Sequence, residues 1–226
     1  MRSPCSAVLR TTEFPRELQN PHPVLSNSSV GSRRPRATVL EVFRAAAEVQ
    51  TLCEEERWRF CFIGGLALQR WGEPRETVDV DLTVLSGFGE ESPYVQKFLG
   101  KFEARIADAA EFARANRVLL IRSRSGVGID VALGALPFEA LAISRSSLFE
   151  FPGDILLRTC AAEDLVVMKA FASRGRDWAD IEGIIVRQTG KLDWTYIQAQ
   201  LAPLAELKGA PEILDNLNVR RTEFEK

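Results

Sequence analysis

Val78-Asp79-Val80-Asp81-Leu82 decides how this chain is read. Apolar and acidic residues alternate, the pattern of a β-strand in which residues i and i+2 point to the same face. Both carboxylates then point one way while Val78, Val80 and Leu82 point to a core. The predicted strand runs from Val78 to Leu85. Further on, Gly128-Ile129-Asp130-Val131-Ala132-Leu133 sets one more acid among apolar strand residues. A carboxylate in an apolar strand is unfavourable unless it is paired or coordinates a cation. Three of them on one sheet face repel each other, and an oxygen-preferring divalent ion, Mg²⁺ or Mn²⁺, resolves that repulsion. Asp79, Asp81 and Asp130 are therefore the expected metal ligands.

Upstream, Phe62-Ile63-Gly64-Gly65 reads as a strand running into two glycines and then a helix. Such a turn lets backbone N–H groups approach an anion, and the helix N-terminus adds a favourable dipole. Gly64 and Gly65 are the expected phosphate cradle. Thirteen residues after Gly65 comes the strand with two carboxylates. A phosphate cradle beside a divalent metal is what nucleotidyl transfer needs. Each piece alone has a plainer reading: a turn for Gly-Gly, a solvated strand end for Asp-x-Asp, an arginine partner such as Arg122 or Arg124 for Asp130. Their order along the chain favours the joint reading. No GxGxxG is present, so a Rossmann dinucleotide site is not indicated.

The rest of the chain divides around this centre. Residues 1–37 hold five of the eleven prolines and six arginines against two glutamates, a net +4 that leaves −6 for the remainder of a chain whose total is −2. No apolar period runs through them, and they are expected to form a disordered arm without a secretory signal. Thr38 is placed to cap a helix bearing Val39, Val42, Phe43, Ala46, Val49 and Leu52 on one face. Predicted elements follow: a strand Arg59–Ile63, a short helix Leu66–Trp71, a helix Phe102–Arg117, strands Val118–Arg122 and Val127–Leu133, and a further strand within Ala140–Phe151. Helices are predicted over Glu163–Ser173, Trp178–Arg187 and Trp194–Leu204. The expected fold is α+β: a small mixed sheet with flanking helices over 38–155, followed by a helical region over 156–226.

Composition narrows the chemistry. The chain has 226 residues, 46% of them hydrophobic, enough for a core. Its one histidine is His22, in Asn20-Pro21-His22-Pro23 within the arm. Ser-His-Asp triads, Cys-His dyads and HExxH zinc sites need histidine in a folded core, so catalysis falls to carboxylates, lysine and oxygen-bound metal. Cys5, Cys53, Cys61 and Cys160 form no CxxC pair and are expected as reduced thiols in a cytoplasmic protein. Apolar runs as short as Val118–Ile121 give no membrane span.

Gly64-Gly65, Asp79-Val80-Asp81 and Asp130 together resemble the signature of the polymerase-β-like nucleotidyltransferase superfamily. The fuller text Phe62-Ile63-Gly64-Gly65-Leu66-Ala67-Leu68-Gln69-Arg70-Trp71-Gly72, then Arg75-Glu76-Thr77-Val78-Asp79-Val80-Asp81-Leu82, resembles the AbiEii-type toxin nucleotidyltransferases of type IV toxin–antitoxin systems. So does Ala162-Glu163-Asp164-Leu165-Val166-Val167-Met168-Lys169 with Arg174-Gly175-Arg176-Asp177-Trp178-Ala179-Asp180. The resemblance covers roughly residues 58–198. It implies an Mg-dependent, NTP-binding transferase that attaches an NMP to an acceptor hydroxyl and releases pyrophosphate. It also implies Lys169 near the nucleotide phosphates, Asp177 as an acid near the reaction centre and Thr77 on a phosphate oxygen. Implied partners are an NTP, an acceptor that is tRNA or another RNA end first, a protein hydroxyl second and an antibiotic or other small hydroxylated molecule third, and a cognate antitoxin. Gly65 stands where many relatives have serine. Other readings stay open from the residues: Lys169 as a solvated helix residue, Asp177 as the N-cap of a helix starting at Trp178 with Asp180 as its N3 acid, and Arg75 as an ion-pair partner only. The alternative function is a catalytically silent nucleotide-binding or protein-interaction module of the same fold.

Overall fold

Thr38 opens the first helix as a capping box. Its hydroxyl accepts from the Glu41 N–H, and the Glu41 carboxylate accepts from the Thr38 N–H at 2.6 Å. The computed structural model describes residues 37–225, so the arm expected over residues 1–37 falls, but for Ala37, outside the described residues. In chain order the elements are α1 (Val39–Glu55), β1 (Phe60–Phe62), α2 (Gly64–Trp71), β2 (Asp79–Leu85), α3 (Glu91–Lys101), β3 (Glu103–Ala104), α4 (Ala109–Asn116) and β4 (Val118–Arg122). Then follow β5 (Gly128–Gly134), α5 (Pro137–Arg145), β6 (Ser147–Phe151), β7 (Ile155–Thr159), α6 (Ala162–Ala172), α7 (Gly175–Arg187), α8 (Trp194–Lys208) and α9 (Glu212–Phe224).

The strands form one mixed sheet in the order β3-β4-β5-β2-β1-β7-β6. β2 pairs in parallel with β5 and β1 with β7; the other neighbours are antiparallel. This is the α+β architecture expected, a mixed sheet flanked by helices and followed by a helical region.

Period-two alternation gives the sheet two unlike faces. Val80, Leu82, Val84, Leu119, Ile121, Ile129, Val131 and Leu133 bury one face with residues of α1, α3 and α4. Each such side chain contributes about 1.5–3 kcal/mol on burial. That sum fixes the register, because a slip of one residue would turn Asp79, Asp81 and Asp130 into this core. On the opposite face, Cys61 of β1 joins Ala67, Leu68 and residues of α5 to α9 in a second core.

Several elements differ from the sequence expectation. The helix expected over Phe102–Arg117 is instead β3 followed by α4, because Asp108 takes a left-handed conformation (φ 53°) just before Ala109. A helix not foreseen, α3, precedes it. Its Pro93 lies in the first turn, where a missing N–H leaves no bond unmade. The strand sought within Ala140–Phe151 is β6 alone. Residues 137–145 form α5, started by Pro137 and by the Glu139 carboxylate, which accepts from the Ala135 and Leu136 N–H groups. β7 and α9 were not foreseen. The boundary expected between 155 and 156 falls at the head of β7, which is tied to the sheet by the Cys160 N–H donating to the Phe62 carbonyl.

Candidate active site

The register of β2 against β5 builds the acidic face. Asp81 lies directly opposite Asp130, and Asp79 opposite Gly128. Residues paired in this way share a face, so Asp130 points to the same side as Asp79 and Asp81. Burial and the charges of Asp79 and Asp130 push the Asp81 pKa up from 3.8 to about 6, against the lowering influence of the Gly65 N–H and Lys169. The Asp130 carboxylate accepts a hydrogen bond from Arg105, a residue that sequence reasoning did not single out. Among the described residues, no group of three Asp, Glu, His or Cys side chains is gathered tightly enough to hold a metal as it stands. The donor set itself suits a hard cation. It is all oxygen, and its like charges already crowd Asp81.

The glycine turn presses against this face. Gly64 opens α2 with φ +55°, and a Cβ there would lie 2.1 Å from Asp81 Oδ2. A Cβ on Gly65 would lie 2.3 Å from Thr77 Oγ1. Both positions therefore need glycine for close approach, which explains the absence of serine at 65. Thr77 is buried, and its hydroxyl donates to the Asp79 carbonyl at 3.2 Å. It thus braces the segment entering β2 from beneath the turn. The Ile63 N–H donates to the Asp81 carbonyl, locking the cradle to the acidic strand.

A second charged cluster lies on α6 and α7. Lys169 is only 6% exposed; its ammonium donates to Asp180 at 2.6 Å and sits 3.6 Å from Asp177. It is not a solvated helix residue. Arg75 forks onto both Asp180 oxygens at 3.0 and 3.1 Å. Burial alone would raise the Asp180 pKa, but the hydrogen bonds from Arg75 and Lys169 hold it below the ordinary value. Asp177 accepts from Arg174 Nε at 2.6 Å and from the Arg174 N–H at 3.3 Å. It occupies the N3 position of a helix that starts at Gly175, not the N-cap of one starting at Trp178, and Asp180 lies a turn deeper.

The two clusters face one another. The pKa of Arg75 is raised by its bond to Asp180, with smaller contributions from Asp79 and Asp81. That of Arg174 is raised by Asp177, and Asp81 adds to it. Arg174 and Arg176 at the start of α7, and Arg124 on the β4–β5 turn, are exposed. Cys53, Cys61 and Cys160 are buried and free, and burial raises the thiol pKa of each. No helix among the described residues is long and apolar enough to cross a membrane.

The family described as nucleotidyl transferase AbiEii toxin, type IV TA system, matches residues 51–216. The chain belongs to this family and is a nucleotidyltransferase. No curated protein matches it. Among solved structures, it is similar to an antigenic nucleotidyltransferase-like protein from Paracoccidioides brasiliensis, with 15% identity and a TM-score of 0.48 over 80% of this chain and 94% of that one. It is also similar to the antibiotic-resistance factor ANT(2'')-Ia, with 16% identity and a TM-score of 0.41 over 83% of this chain and 92% of that one.

Proposed function

We propose that this enzyme transfers an NMP from an NTP to a hydroxyl of an RNA end, tRNA first among the candidates, with release of pyrophosphate, and that it is the toxin of a type IV toxin–antitoxin pair working in the cytoplasm. The observation that carries the reading is the in-register pair Asp81–Asp130, with Asp79 one pleat away, directly under the Gly64-Gly65 turn. Asp79, Asp81 and Asp130 would hold Mg²⁺ or Mn²⁺. When bound, the metal neutralises triphosphate charge and lowers the pKa of the attacking hydroxyl.

The chain's own residues do the rest. The α2 N-terminus offers backbone N–H groups to the phosphates, and Gly64 and Gly65 let that turn lie close against Asp81 and Thr77. Lys169 presents positive charge toward Asp81 from the helical side, held there by Asp180 and Asp177. Arg75 fixes Asp180, so the cluster keeps its shape without substrate. Thr77 serves the cradle by bracing it, and Asp177 is the acid nearest the α6–α7 rim. Arg124, Arg174 and Arg176 favour a polyanionic acceptor in a protein whose overall charge is only −2. A cognate antitoxin follows from the family.

Incubation with each α-labelled NTP, Mg²⁺ and whole-cell lysate tests this. Label in RNA of tRNA size supports the proposal. Label in protein transfers the assignment to a protein hydroxyl. NTP binding without labelled product or pyrophosphate identifies the catalytically silent alternative.

A further inference from the structure

Arg105 lies outside the glycine turn, the Asp79–Asp81 strand and the α6–α7 cluster, yet it meets the acidic face. It follows the two-residue edge strand β3, and its N–H donates to the Leu120 carbonyl of β4. Leu120 in turn pairs with Asp130 on β5. Arg105, just past β3, thus continues a row formed by Leu120, Asp130 and Asp81 on the adjacent strands β4, β5 and β2. The guanidinium reaches across this row to Asp130 by passing over Gly128, where a Cβ would lie 2.8 Å from Nη1. Gly128 also faces Asp79, so its missing side chain is a notch in the acidic face that the guanidinium fills. The fit is incomplete. Arg105 Nε is buried and has no hydrogen-bond partner among the described residues. A guanidinium with a buried donor unmade is held less favourably than one whose donors are all bonded.

We infer that Arg105 is a positioning residue for the third carboxylate: it serves as a resident counter-cation of Asp130 in the metal-free protein and yields that carboxylate when a divalent cation enters. The inference rests on the metal-ligand reading of Asp79, Asp81 and Asp130. A cation that must displace another cation binds less tightly than one entering an open acidic site. Arg105 therefore sets the affinity for bare metal, and keeps the three carboxylates from repelling each other before nucleotide and metal arrive together.

Binding of Mn²⁺ alone to the full chain, followed by calorimetry and by electron paramagnetic resonance of the free ion, tests this without any turnover. Arg105→Gln should tighten Mn²⁺ binding about tenfold, the scale of one charge-assisted contact removed from the competition. It should also enlarge the rise in melting temperature that Mn²⁺ produces. Arg105→Lys should lie between the two, since it keeps the charge but not the fork. Gly128→Ala should shift affinity the same way by displacing the guanidinium, and it decides the matter if Arg105→Gln does not fold. Asp130→Asn separates the two levels of the argument. If wild type binds Mn²⁺ no better than Asp130→Asn, the metal-ligand reading fails and takes this inference with it. If binding depends on Asp130 but is unchanged in Arg105→Gln, or in Gly128→Ala where that variant must stand in, Arg105 is only a structural ion pair and the inference is overturned.

Discussion

The sheet and the helices solve the same electrostatic problem in opposite ways. On β2 and β5, Asp79, Asp81 and Asp130 are set side by side with Arg105 on Asp130, and Asp81 is pushed up to about 6. On α6 and α7, Asp177 and Asp180 are matched by Lys169, Arg75 and Arg174, and Asp180 is held below its ordinary value. Buried carboxylates are tolerated in proteins when paired, so the helical cluster is complete without a ligand. In the sheet cluster Asp81 is raised all the same, by burial and by the charges of Asp79 and Asp130. Under the function proposed above, the cation enters where the Asp81 carboxyl is raised, and the cluster whose Asp180 is lowered forms the wall beside it.

The sharpest break in that contrast is Asp81→Asn. The amide keeps the shape and loses the charge. Turnover of NTP should fall by about two to three orders of magnitude or more, as for loss of a group that stabilises transition-state charge. The metal-free protein should melt higher than wild type, because one of three repelling charges is gone. Turnover near wild type would remove Asp81 from the reaction, and a lower melting temperature would show that the sheet cluster is not strained by its charge.

Lys169→Ala tests the other half. Its ammonium is the charge that Asp180 and Asp177 share in the buried part of the cluster. Breaking a buried pair costs about 3–5 kcal/mol, and the Arg75 fork that remains on Asp180 puts the expected loss near the lower end. NTP binding or the single-turnover rate should also fall tenfold or more if Lys169 serves the nucleotide. Lys169→Arg should restore only part of either. Lost stability with an unchanged rate would make the helical cluster purely structural, in which case the contrast with the sheet holds but Lys169 leaves the site.

How much of this was legible in the sequence follows from the range of each interaction. The acidic face was readable because alternation along a strand is local, and Asp79, Asp81 and Asp130 each announce themselves among aliphatic neighbours. Their register was not, because pairing of β2 with β5 spans some fifty residues and no turn dictates it. The role of Gly65 needed Thr77, and the role of Asp180 needed Arg75, a hundred and five positions away. Arg105 was invisible, since an isolated arginine inside what reads as a helix carries no local signal. The error over Phe102–Arg117 has the same root. Phe102, Ile106, Ala109, Ala110 and Ala113 keep a helical period through a segment that Asp108 interrupts with a left-handed residue, and aspartate adopts that conformation without any warning in its neighbours.

Acid titration of stability sharpens the comparison further, because the two clusters respond with opposite sign. The Asp81 carboxyl holds its proton more tightly in the folded chain than in the unfolded one. The stability so gained is full below its ordinary value of 3.8 and lost as pH rises through about 6. Asp180 is lowered, so its contribution is present above the ordinary value and lost as pH falls through the folded one. Melting temperatures of metal-free wild type and Asp81→Asn, measured across pH 3.5 to 7, should show the variant gaining on wild type as pH rises from about 4 to about 6. A constant difference across that range would mean that Asp81 does not titrate there.

The smallest effect expected is that of Arg174→Ala, and it tests where the helical cluster is anchored. Arg174 makes the shortest contact to Asp177, at 2.6 Å, so a reading by distance alone would rank it with Lys169. Its side chain, however, is 58% exposed, whereas that of Lys169 is 6% exposed. Water replaces an exposed guanidinium far better than a buried ammonium, and such pairs contribute at most about 1 kcal/mol. Asp177 also keeps Lys169 at 3.6 Å when Arg174 is removed. Denaturant unfolding should therefore show Arg174→Ala losing about a third or less of what Lys169→Ala loses. Equal losses would place the anchor of the cluster at its solvent edge, and the helical wall would then be a surface ion pair that substrate or salt can open rather than a fixed boundary of the site.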